Sequence, residues 1–252
     1  MVVLSEENQC AADVAEVAGQ GLLELRERVG GGKTAGAEGD AWSHRTIVDA
    51  LRDRFPDDRI RSEEATRADP IDDPSGRVWI VDPLDGTREF GEGRSDWAVH
   101  VALSVDADPV VGAVALPGLG LVLQSGSPPA VGRPERPPRI VVSRTRPPEF
   151  VPALLERLGA IEVPMGSAGA KIAAVIRGEA EIYVHAGGQY EWDSAAPVAV
   201  ALAAGLHATR IDGSPLRYAQ QDPWLPDLVV CHPELASPVL AALGDLGLAS
   251  ST

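Results

Sequence analysis

The run Trp79-Ile80-Val81-Asp82-Pro83-Leu84-Asp85-Gly86-Thr87 constrains this chain more than any other nine residues. An apolar stretch reads as a buried strand and ends on a carboxylate. Pro83 locks φ and withholds an N–H, so the strand stops there. Asp85 then comes close behind Asp82, and Gly86 lets the backbone approach a neighbour. Two carboxylates held that near each other repel unless they share a proton or a cation. A hard cation held by oxygen ligands beside a phosphate fits the Gly-Thr that comes next. A strand closed by an Asp-Pro turn fits the same residues, since Asp and Pro are common turn formers.

Three further acidic segments extend the pattern: Asp40, expected to open the second helix, Ser62-Glu63-Glu64, and Glu191-Trp192-Asp193-Ser194-Ala195-Ala196. The ordered set resembles the lithium-sensitive, magnesium-dependent phosphomonoesterases of the inositol monophosphatase family, over nearly the whole chain. Arg88-Glu89-Phe90 after Asp-Gly-Thr is similar to the Lys-Glu-Phe of the bisphosphate nucleotidase branch. Inositol monophosphatases usually carry Thr-Asn-Phe there.

The resemblance implies metal ligation by the side chains of Glu63, Asp82, Asp85 and Asp193 and by the Leu84 carbonyl, holding two or three Mg²⁺ ions. It implies that a Thr87–Asp40 pair orients the attacking water. Substrate would touch Glu63, Leu84, Asp85, Gly86, Thr87, Arg88, Ser143, Arg144, Ser167, Lys171 and Asp193. It also implies a possible homodimer partner and a layered α-β-α-β-α sandwich. Chemistry agrees in part: phosphomonoester hydrolysis needs an activated water and charge neutralisation, which two metal ions about 3.5–4 Å apart supply.

Each of these residues also has a plainer reading. Asp40 and Asp193 sit where helix N-caps are expected. Ser167-Ala168-Gly169-Ala170-Lys171 is equally an anion seat or a capped helix with a surface lysine. Adjacent strand residues point to opposite faces, so only one of Glu63 and Glu64 can enter a site. His185 and Glu191 are left outside the site, and Tyr190 or Trp192 is a candidate to stack a base. The segment Lys33-Thr34-Ala35-Gly36-Ala37-Glu38-Gly39-Asp40 departs from the family, with Ala37 where a Thr is usual. As a glycine-rich loop it reads as mobile, which puts the third metal in question.

With 252 residues the chain suits one large domain or two small ones. The formal net charge of −15 argues against nucleic-acid binding by an electrostatic footprint. No apolar run is long enough to span a membrane, and no secretory leader is expected at the N-terminus. Cys10 and Cys231 lack metal-ligand spacing and read as reduced thiols of a cytoplasmic protein.

Helical periodicity runs from Ser5, a candidate N-cap, to about Val29, and again from Asp40 to Phe55. Strands are expected near Ile60, at Val78–Val81, Trp97–Val105, Val110–Leu116 and Gly120–Gln124, which make residues 1–125 an α+β half. The proline-rich segment 126–138 reads as a linker. An α/β half occupies 139–252, with strands at Arg139–Val142, Ala160–Val163 and Ala180–Val184 and helices between them. A helix is expected from Asp193 to Ala204, then strands at Thr209–Ile211 and Leu228–Cys231.

The function implied is hydrolysis of the 3'-phosphate of 3'-phosphoadenosine 5'-phosphate, a by-product of sulfate activation. Inositol monophosphate or fructose 1,6-bisphosphate hydrolysis is the alternative within the class, and an inactive ligand-sensing homologue the alternative outside it.

Overall fold

The computed structural model describes residues 4–65 and 73–250. In chain order the elements are α1 (Ser5–Val29), α2 (Lys33–Arg54), β1 (Arg59–Ser62), β2 (Arg77–Asp85), α3 (Thr87–Gly91), β3 (Ala98–Val105), β4 (Asp108–Leu116), β5 (Leu121–Gln124) and β6 (Arg139–Ser143). They continue with α4 (Val151–Leu158), β7 (Ile161–Met165), α5 (Ala168–Ile176), β8 (Ile182–Tyr190), α6 (Ala195–Ala203), β9 (His207–Thr209), β10 (Trp224–Cys231) and α7 (Ala236–Asp245). One sheet has the order β1-β2-β3-β4-β5, parallel only between β1 and β2. The other runs β7-β6-β8-β10-β9 and is parallel across β7, β6 and β8.

Strand alternation assigns the layers. Val78 and Ile80 of β2 face a central layer made by α5 and α6. Trp79 and Val81 face α1 and α2 on the other side. Buried on both faces, β2 has to be an uninterrupted apolar run. The second sheet packs Val141, Tyr183 and Val230 onto the same central helices. Its far face is covered by Val151 and Leu154 of α4 and by Val239 and Leu243 of α7. The result is the α-β-α-β-α sandwich. Between its two sheets, α5 is buried from Gly169 through Ile176, as a helix that is apolar on every face but for Lys171 is expected to be. Segment 126–138 carries no helix or strand, yet residues from both sheets share the central core.

Several boundaries differ from the sequence reading. The second helix begins at Lys33, so Asp40 lies inside it and is not an N-cap. Gly36 and Gly39 belong to this helix and not to a mobile loop, because they mark where it is pressed close. A Cβ on Gly36 would lie 2.6 Å from Thr87 Cγ2, and one on Gly39 3.0 Å from Leu22 Cδ2. Ser5 is the first helical residue and makes no side-chain cap bond. Strand β8 runs on to Tyr190 through Gly187 and Gly188, whose positive φ values accompany a register shift opposite Leu225 and Asp227. No helix among the described residues is long and apolar enough to cross a membrane.

One buried ion pair ties the first sheet to the central layer. Arg61, paired with Ile80 across β1 and β2, turns inward to Glu191 Oε2 at 2.6 Å. Each side chain is 2% exposed, and Glu191 Oε1 also accepts from the Gln220 N–H at 2.8 Å. Removing one partner strands the other charge, which costs about 3–5 kcal/mol. Arg61→Met should therefore lower unfolding stability by about that amount in a urea titration. Adding Glu191→Gln, which keeps the acceptor for Gln220, should recover much of it. An equal loss in the single and double variants would show that the stranded charge is not the cause.

Candidate active site

The carboxylates meet because of one extra residue in β2. Asp82 pairs with His100 and Asp85 with Ala98, so three steps along β2 match two along β3. This is a bulge, and it reverses the side-chain alternation. Without it Asp85 would join Trp79 and Val81 in facing α1 and α2. With it, Asp82 and Asp85 both face the central layer. Pro83 has no N–H to contribute to the ladder and is tolerated at the bulge, where its carbonyl accepts from Ser43 Oγ at 2.8 Å. Asp82 Oδ1 accepts from the Leu84 N–H at 3.0 Å.

Gly86 has φ +89°, and a Cβ there would lie 2.9 Å from Ser167 Cβ. That turn opens α3 at Thr87, whose Oγ1 lies 3.2 Å from the Leu84 carbonyl and 3.4 Å from Asp40 Oδ2. Asp193 ends a one-turn 3-10 helix before α6 and accepts from the Tyr190 N–H at 2.7 Å, so it is not the N-cap of α6. Carboxylate oxygens of Asp82, Asp85 and Asp193 lie within 4.8 Å of one another. Glu63 and Glu64 lie in a 3-10 turn after β1, not on the strand, and Glu63 hydrogen-bonds the Asp82 carboxyl.

This crowding shows in the acidities. Burial first, then the charges of Glu63, Asp85 and Asp193, raises Asp82 well above the carboxylate range. Burial and Asp85 raise Asp193 to about 7. Burial, then Asp40, Glu64 and Asp85, raises Glu63 to about 7, and burial with Glu64 raises Asp40 to about 7. An all-oxygen set of this charge fits a hard divalent cation, which would replace the protons that such acidities imply.

The start of α5 is filled from within. Asp85 Oδ2 accepts from the Gly169 N–H at 2.5 Å and Oδ1 from the Ala168 N–H at 3.3 Å, a helix N-terminus holding an anion. Ser167 Oγ caps the Ala170 N–H at 3.1 Å. The anion seat expected here for substrate therefore belongs to Asp85. A Cβ on Gly169 would lie 1.9 Å from His100 Nε2, so only glycine permits this approach. Lys171 is buried, not on the surface, and donates to the carbonyls of Gly166 at 2.5 Å and Ser167 at 2.8 Å. Burial lowers its pKa against the pull of Asp85 and Glu89.

A cleft of about 540 Å³ opens over these groups, lined by Asp85, Arg88, Ser143, Ser167, Lys171 and Asp193 among the expected residues. Arg144 does not line it. Its guanidinium is bound to Glu89 at 3.1 Å and Glu92 at 3.2 Å. Arg146 lines it instead, and among the described residues it makes no ion pair. Its backbone N–H is fixed by Ser143 Oγ at 3.2 Å. The sequence reading also missed Tyr183, His185, Gln189 and Trp224 as lining residues. Tyr183 and His185 share one face of β8 by alternation, and their side chains lie 3.2 Å apart at the hydroxyl and Nδ1. Glu191, left outside the site, stays outside it as the partner of Arg61. Trp192 stacks on Tyr190 and is buried, whereas Tyr190 is exposed.

The model of the Inositol monophosphatase family matches residues 4–243, and the chain belongs to that family. It is 45% identical to a 3'-phosphoadenosine 5'-phosphate phosphatase of Mycobacterium leprae (strain TN), over 94% of this chain and 93% of that protein. It is 32% identical to the 3'(2'),5'-bisphosphate nucleotidase CysQ of Escherichia coli (strain K12), over 74% of this chain and 80% of that one. Among solved structures, inositol monophosphatase-II of Staphylococcus aureus MSSA476 superposes with a TM-score of 0.83 at 19% identity, covering 98% of each chain.

The acidities predict a linkage. For Asp193 and Asp40 the folded-state pKa of about 7 exceeds the ordinary 3.8, and for Glu63 the ordinary 4.5. Stability from these groups is thus full below about pH 4 and lost as pH rises through about 7. A divalent cation opposes that loss. Mg²⁺ should raise the Tm more at pH 8 than at pH 5.5, measured by calorimetry against EDTA-treated protein. A shift independent of pH would mean that the cation does not bind these carboxyls.

Proposed function

We propose that this chain is a Mg²⁺-dependent phosphomonoesterase that hydrolyses 3'-phosphoadenosine 5'-phosphate to AMP and inorganic phosphate. The observation that carries the reading is the Asp82–Asp85–Asp193 cluster, of which Asp85 and Asp193 line a cleft that also holds uncommitted Arg146. The names of the mycobacterial and Escherichia coli relatives support the nucleotide substrate.

Glu63, Asp82, Asp85 and Asp193, with the Leu84 carbonyl, would hold two Mg²⁺ ions. Bound there, the ions supply charge neutralisation on the leaving oxygen and a lowered pKa for the attacking water. The chain's own groups do the rest. Thr87 donates its hydroxyl proton toward Asp40 Oδ2, which leaves Oγ1 lone pairs to accept from a water and aim it. Asp40, at about 7, suits a general base at neutral pH. The Asp85 carboxylate is fixed by α5, so its position does not depend on substrate. The water oxygen forms the new P–O bond, the P–O3' bond breaks, and the freed 3'-oxygen takes up a proton. Arg146, with Lys171 deeper in and the exposed Arg88, which pairs with Glu92, at the rim, offers the cationic seat that a second phosphate needs.

Two variants test this. Asp85→Asn should lower kcat by more than about tenfold at saturating Mg²⁺, a barrier change above about 1.4 kcal/mol, with the circular dichroism spectrum retained. Residual activity near wild type would sink the metal assignment. Arg146→Ala should lower kcat/KM for 3'-phosphoadenosine 5'-phosphate by roughly 10- to 150-fold, one charge-assisted contact. Inositol 1-phosphate, which has no second phosphate, should lose much less. A wild-type enzyme that prefers inositol 1-phosphate or fructose 1,6-bisphosphate would overturn the nucleotidase reading.

A further inference from the structure

Gln189 lines the cleft and is 6% exposed, yet neither Oε1 nor Nε2 of its carboxamide has a hydrogen-bond partner. Among the described residues it alone leaves two buried side-chain polar atoms without a partner. Buried polar atoms are nearly always paired, so each such pair calls for an explanation. The fold does not supply one. Across the sheet Gln189 faces Leu225, an apolar core residue. Two other polar side chains of the cleft have partners of their own: His185 bonds Tyr183 and Gly188, and Lys171 bonds Gly166 and Ser167. An apolar side chain of the same length would leave the ligand-free protein no less stable.

The chemistry of the orphaned pair narrows the partner. Oε1 accepts and Nε2 donates, side by side, so the complement presents a donor beside an acceptor. A phosphate has only acceptors and would face Oε1 unfavourably. The edge of a 6-aminopurine has the amino group next to a ring nitrogen, the pairing that a glutamine carboxamide makes with adenine. A polyol could also offer a hydroxyl pair, but the cleft wall favours a flat ring. Tyr190 and Trp224 line the same cleft with 43% and 47% of their surface open, their rings edge to face.

We propose that Gln189 reads the nucleobase: a turn of its side-chain torsions brings the carboxamide to the cleft, where it pairs with the amino group and adjacent ring nitrogen of a 6-aminopurine. This rests on the nucleotidase reading above and assigns the residue that tells one nucleotide from another.

The test compares wild type and Gln189→Met on 3'-phosphoadenosine 5'-phosphate and on its 6-desamino analogue, the purine riboside 3',5'-bisphosphate. Wild type should show a KM roughly tenfold or more higher for the analogue, as expected when a buried partner is left unpaired. Gln189→Met should raise the KM for the amino substrate by roughly 10- to 100-fold, two hydrogen bonds' worth. It should then no longer distinguish the two substrates. Its Tm should equal or exceed that of wild type. A variant that keeps the discrimination overturns the proposal. So does a wild type that never had it, as a polyol-reading glutamine would give, and so does a lowered Tm with equal kcat losses on both substrates. Failure of the underlying reading is separately visible: wild type would then leave both nucleotides intact while hydrolysing inositol 1-phosphate.

Discussion

Like charges forced together are the constraint around which this molecule is built. Asp82 and Asp85 would sit on opposite faces of β2 if the strand were regular, and no cluster would exist. The added residue at Pro83 brings both to the central layer, beside Asp193. Neighbouring elements compensate for the repulsion this creates. The α5 N-terminus delivers two N–H groups to Asp85, and Tyr190 delivers one to Asp193. Burial keeps the rest of the negative charge unscreened, which is why Glu63, Asp40 and Asp193 hold their protons to about 7.

Glycine is the other half of the arrangement. The bulge can be approached on every side only where no Cβ intervenes. Gly36 lets α2 lie against Thr87, Gly86 lets the motif turn beneath Ser167, and Gly169 lets α5 reach Asp85 past His100. Each of the three comes from a different segment, so one catalytic constellation requires three separate close contacts. The Arg61–Glu191 pair then links the strand that precedes Glu63 to the turn that carries Asp193. Movement of either element would be felt by ligands on both.

Much of this was legible in the sequence, for physical reasons that differ by segment. β2 was readable because burial on both faces demands an unbroken apolar run, and the Asp-Pro-Leu-Asp-Gly-Thr motif is specific enough to name a family. The start of α2 was not, because glycines at 36 and 39 weigh toward loop. Their spacing, one helical turn, was the available sign of a packed face. The carboxylate convergence was anticipated, but its cause, a bulge, is invisible without the register of β3. Arg144 and Arg146 are two residues apart on a loop, and only the fold shows that Glu89 and Glu92 claim the first. The Arg61–Glu191 contact spans 130 residues and has no local signal at all. The Ser167–Lys171 segment was open between anion seat and capped helix. It proved to be a capped helix that holds an anion, one supplied by the chain itself.

The hold of α5 on Asp85 also divides the labour of the site. Because Asp85 occupies the α5 N-terminus, the Ala168 and Gly169 N–H groups are already taken, and the helix dipole acts on that carboxylate. Of the cationic side chains in the cleft, Arg146 on the loop after β6 makes no ion pair among the described residues, whereas Lys171, one turn into α5, is partly spent on the carbonyls of Gly166 and Ser167. The carboxylate cluster is set by a strand bulge, by the α5 N-terminus at Asp85 and by the Tyr190 N–H at Asp193. The cleft wall is built from the loop after β6 and the glycine-containing end of β8. Arg146, Gln189 and Trp224 lie on a loop, on β8 and on β10, away from the bulge that sets Asp82 and Asp85, so altering them leaves the geometry of that carboxylate pair in place.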